Sequence, residues 1–62
     1  MESIRFLEQK INGKWKIVGQ GITNGNFVVK SPGTYRIIWR VNRVYQAPGE
    51  EVTVQSGEEI VI

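Results

Sequence analysis

At 62 residues and 7.1 kDa the chain has room for one domain with a small core, and it carries a net charge of +2 with an isoelectric point near 9.3. It contains no cysteine, histidine or aspartate, which excludes disulfide staples, the usual zinc-ligand spacings and the familiar nucleophile–base pairs of hydrolases. No apolar run approaches the roughly 20 residues of a membrane-spanning helix, and the opening MESIRFLEQK holds no apolar signal-peptide core.

Turn signals punctuate the rest. Asn12-Gly13, Asn24-Gly25, Pro32-Gly33, Pro48-Gly49 and Ser56-Gly57 separate runs rich in Val, Ile, Thr, Tyr, Phe and Trp. Asn-Gly suits the tight primed hairpin turns, which need positive φ at both central residues, and Pro-Gly suits a type II turn. The runs between them predict strands over 3–11, 14–20, 26–30, 34–45, 51–55 and 59–62. The glycines of Gly19-Gln20-Gly21 mark a bulge or bend in the second strand, because no lysine or serine follows at the offsets of a phosphate loop. No stretch carries helical apolar spacing. The reading is all-β, a single domain over 1–62, folded as a small antiparallel sandwich or partly open barrel of about six short strands.

Alternation along the fourth strand sorts its side chains. Tyr35, Ile37, Trp39 and Val41 share one face, and Thr34, Arg36, Ile38, Arg40 and Asn42 share the other. Trp39 therefore belongs to the core, and Arg36 and Arg40 to a solvent face. Past Asn42 either the strand ends near Val41 or a bulge flips the phase. With no flip, Arg43 and Tyr45 project at the rim of the core face. In Lys14-Trp15-Lys16 the same parity separates Trp15 from its lysines, so that it either joins Ile17 in the core or, at the edge after the hairpin turn, touches sugar, nucleic acid or another subunit.

Charge is unevenly spread. From Lys10 to Arg43 there are seven basic residues and no acid, whereas Glu2, Glu8, Glu50, Glu51, Glu58 and Glu59 lie in the flanks. Such a distribution either makes a positive surface that meets phosphate or neutralises itself across neighbouring strands. The adjacent glutamate pairs stand beside turns and diverge in a strand, so they read as solvated charges and not as an acid–base pair. No catalytic, cofactor-binding or metal-ligating residue is expected. The candidate binding residues are Lys14, Trp15, Lys16, Arg36, Arg40, Arg43 and Tyr45.

Residues 21–41, GITNGNFVVKSPGTYRIIWRV, carry a family likeness. Their order of Gly-x-Thr, Asn-Gly-x-Phe, an apolar strand, Pro-Gly-x-Tyr and a second apolar strand resembles the prealbumin-like sandwiches. These include carboxypeptidase regulatory-like domains and the B-type repeats of collagen adhesins. On that likeness Thr23, Gly25, Phe27, Pro32, Gly33 and Tyr35 occupy turn and core positions, and 50–62 supply the closing strands. The resemblance implies a scaffold, spacer or binding module, with a leaning to the cell exterior or surface. The closing EEIVI holds no asparagine, so the lysine–asparagine isopeptide bond of the adhesin repeats is not expected.

The functional expectation is a non-enzymatic structural or interaction module that self-associates through sheet edges, namely the first and last strands. Its partner is a second copy or another protein. The alternative is a small basic β-domain that binds nucleic acid through Lys14, Lys16, Arg36, Arg40 and Arg43.

Overall fold

The computed structural model describes residues 3–22 and 26–62, with Ile22 by its backbone alone. The described residues form seven short strands and no helix, arranged as a curled antiparallel sheet that makes a half-barrel. They are β1 (Ser3–Ile11), β2 (Lys14–Ile22), β3 (Val28–Val29), β4 (Gly33–Val41), β5 (Val44–Tyr45), β6 (Val52–Val54) and β7 (Ile60–Val61). The main sheet runs β2-β1-β4, with β5 and β6 sharing the far side of β4, and β3 pairs with β7 in a second, two-stranded sheet. Asn24-Gly25 and Thr23, expected as turn residues, lie outside the described residues.

Local chemistry explains the elements. Asn12 and Gly13 take φ of 51° and 77°, the left-handed pair that a two-residue hairpin between β1 and β2 requires. In β2 the register slips by one: Leu7 faces Gly19 but Glu8 faces Ile17, so Val18 is the extra residue of a bulge. The bulge expected at the glycines is thus present, and it turns Gly19 and Gly21 toward the inside. There the ring of Phe27 sits so close that an added Cβ would meet it at 3.1 Å on Gly19 and 3.2 Å on Gly21.

Three expectations need correction. The segment 34–45 is not one strand: of the two alternatives past Asn42 the strand ends at Val41, and Asn42 and Arg43, both with positive φ (49° and 68°), form a second two-residue hairpin. Asparagine tolerates that conformation but arginine ordinarily does not, so the residue pair gave little warning. Pro32-Gly33 does not close a turn either, because Gly33 already pairs with Val54 at the start of β4. Ala47-Pro48-Gly49 is an extended connection along β4, where Gln46 N donates to Trp39 O at 2.7 Å and Gly49 N to Ile37 O at 2.9 Å.

Of the two edges expected, the last strand, β7, is an edge of the two-stranded sheet, but the first is not. The first strand, β1, is central, flanked by β2 and β4. Among the described residues the long strand with a free edge is β2.

The core forms between the two sheets. Leu7, Val29, Tyr35 and Val54 are buried, with Phe27, Ile37, Ile60 and Ile62 packed against them. Val54, at 2% exposure, and Tyr35, whose hydroxyl donates to Ser31 O at 2.9 Å, anchor it. Phe27 and Ile62 exchange two backbone hydrogen bonds of 2.8 Å, which extend the β3–β7 pairing by one residue pair. Trp39 shares the inner face with Tyr35 and Ile37 but is only partly buried, with the Arg5 guanidinium 5.8 Å from its ring.

Candidate functional site

Two surfaces emerge from this frame. The first is the outer face of the main sheet. Cross-strand pairing sets side by side Phe6 with Ile38, Glu8 with Arg36, Lys10 with Trp15, and Arg40 with both Ile4 and Tyr45. Paired residues share a face. Trp15, Phe6 and Tyr45 therefore stand on the same side as Lys10, Arg36 and Arg40.

The contacts make a layered arrangement. Arg36 places its guanidinium carbon 4.1 Å from the Trp15 ring centre, and its Nε donates to Glu8 Oε1 at 2.8 Å. Lys10 Nζ stands 6.0 Å from the centre of the same ring. Arg40 lies 5.4 Å from the Phe6 ring and 5.9 Å from the Tyr45 ring, and those two rings are 5.9 Å apart and tilted by 43°. Cations over ring faces are attracted by the ring quadrupole, more so where water is partly excluded. Phe6, though on the outer face, is buried beneath this layer.

Trp15 and Ile17 do share a face, but it is the outer one and not the core, because the bulge comes after them. Arg36 and Arg40 are on that face, as is Tyr45, which pairs with Arg40 and so lies away from the core rim where unbroken parity would put it. Arg43 sits in the hairpin turn. Lys14 and Lys16 pair with Ile11 and Gln9, so they belong to the opposite face. The five basic residues assigned to nucleic acid are thus divided between two faces and a turn. Phe6, Lys10 and Glu8 complete the outer layer and were not singled out, since only cross-strand register brings them beside the arginines.

The second surface lies around the short sheet. Alternation sends Val29 and Ile60 inward, and leaves the pairs Val28–Val61 and Lys30–Glu59 facing out. Val28 and Val61 are 55% and 58% exposed, and Lys30 Nζ lies 3.8 Å from Glu59 Oε2. Next to Val28 a groove of about 230 Å³ opens between the two sheets, lined by Leu7, Gln9, Val18, Val28, Lys30 and Tyr35 among others. Val18, the bulged residue, is 47% exposed at its mouth. The free edge of β2 is itself guarded, because a bulge interrupts its ladder and lysines occupy its start.

Among the described residues no group of acids, histidines or cysteines has the spacing to hold a metal ion, and no helix is long and apolar enough to cross a membrane. No family model matches the chain, and no curated protein or solved structure is significantly similar to it.

Proposed function

We propose that the protein is a non-enzymatic interaction module that self-associates. The observation that carries this reading is a set of three exposed valines: Val18 and Val28, which line the groove between the two sheets, and Val61, which pairs with Val28 on the outward face of the short sheet. Few large apolar side chains are buried in so short a chain, and covering three more valines would add to a thin stability margin. The prealbumin-like resemblance points the same way, toward scaffolds and binding modules. Contact by simple addition to the β2 edge is disfavoured by its bulge and lysines, so these valines are the contact surface. Light scattering across a concentration series tests the reading: a rising mass supports it, and a strict monomer at millimolar concentration sinks it.

A second reading has its own support. The outer face interleaves Trp15, Phe6 and Tyr45 with Lys10, Arg36 and Arg40, the combination on which single-stranded nucleic acid stacks and neutralises its phosphates. Against it, Glu8 already neutralises Arg36, and guanidinium groups cover the rings. Retention of a single-stranded oligonucleotide at low salt, lost steeply as salt rises, would favour this reading.

A further inference from the structure

We infer that two copies pack face to face through their β3–β7 sheets, about a twofold axis that runs along the strands between β3 and β7. The inference rests on the self-association reading and gives it a geometry. The outward face presents two adjacent rows: Val28 on β3 with Lys30 just after the strand, and Val61 on β7 with Glu59 just before it. A twofold axis parallel to the strands preserves position along them and exchanges β3 with β7. It therefore sets Val28 over the partner's Val61, and Lys30 over the partner's Glu59. Every apolar side chain meets an apolar one and every charge meets its opposite, at the spacing of about 10 Å typical of stacked sheets.

The other in-plane axis, perpendicular to the strands, reverses position along them. It stacks valine on valine only if each ion pair is left beyond the contact, so it gains nothing from Lys30 and Glu59. One patch that is complementary to itself is what a closed twofold interface needs. Val18 lies at the mouth of the groove that Val28 lines, and the interface would cover it in part. The buried area is small, so the dimer is weak and assembles at high micromolar to millimolar concentration.

Charge reversal tests this geometry. Lys30→Glu and Glu59→Lys singly place four like charges across the axis, and each should weaken the dimer at least about tenfold by sedimentation equilibrium. The double variant Lys30→Glu/Glu59→Lys restores opposite charges everywhere and should return to within about threefold of the parent. Both residues are well exposed, and circular dichroism confirms that each variant remains folded. Val28→Lys should abolish the dimer without unfolding the chain. A dimer indifferent to Glu59→Lys and Val28→Lys overturns this packing while leaving self-association in place. A parent protein that stays monomeric overturns both.

Discussion

Arg36 reaches Trp15 across an intervening strand: β4 and β2 are not neighbours, yet the guanidinium carbon stands 4.1 Å from the indole centre. The strand between them, β1, supplies Glu8, which accepts the Arg36 Nε hydrogen at 2.8 Å. The three side chains tie β2, β1 and β4 together on a face that no second layer covers among the described residues. Both charged side chains are largely shielded, with 22% and 12% of their surfaces exposed, so the pair is stronger than an open surface bridge. A double-mutant cycle with Glu8→Gln and Arg36→Gln should give a coupling of about 1–2 kcal/mol in urea unfolding. A coupling indistinguishable from zero would mean that the pair is ornamental.

The contact of Phe27 with Gly19 and Gly21 predicts a steric penalty. An alanine Cβ at position 19 would stand 3.1 Å from the ring and 3.4 Å from Leu7 Cβ, so Gly19→Ala should destabilise the fold by about 1–3 kcal/mol. Adding Phe27→Leu relieves the overlap and should recover part of that loss relative to the sum of the single effects. Additive effects of the two substitutions would contradict the proposed packing.

The turn at Asn42-Arg43 carries a conformational cost that glycine would remove. Arg43 has φ of 68°, which costs a side-chain-bearing residue about 1–2 kcal/mol. Arg43→Gly should therefore raise stability, by up to about 1 kcal/mol once the extra freedom of glycine in the unfolded chain is subtracted. A fall in thermal midpoint would indicate that the arginine side chain contributes more than its backbone loses.

The outer face makes a separable prediction for nucleic acid. If single strands stack there, Tyr45→Ala should weaken binding by about 1–3 kcal/mol, and Lys14→Gln, on the opposite face, should leave it nearly unchanged. Fluorescence anisotropy with a labelled oligonucleotide reads both. No binding at low salt ends the second reading.

The strand content, the Asn12-Gly13 hairpin and the bulge near Gly19 were legible because each is written in residues close together in sequence. Parity within β4 correctly assigned Tyr35 and Ile37 to the core and Arg36 to the other face. What stayed hidden depends on register between distant strands. The outer aromatic–arginine layer requires knowing that β1 separates β2 from β4, and the core alternative for Trp15 failed because the bulge lies after Ile17 and reverses which face the later residues use. The β1 edge was misplaced for the same reason, since nothing local in Arg5, Glu8 or Lys10 says that both sides of the strand are paired. The self-complementary patch of Val28, Lys30, Glu59 and Val61 joins segments from opposite ends of the chain, and only the β3–β7 pairing brings them together.

The central claim is that the exposed valines are covered by a second copy. Sedimentation equilibrium from micromolar to millimolar protein is its most direct test. The expected result is a monomer at the dilute end that gives way to a dimer as concentration rises, with Val28→Lys remaining monomeric throughout. A parent chain whose mass stays that of one 7.1 kDa copy across the whole range would contradict it.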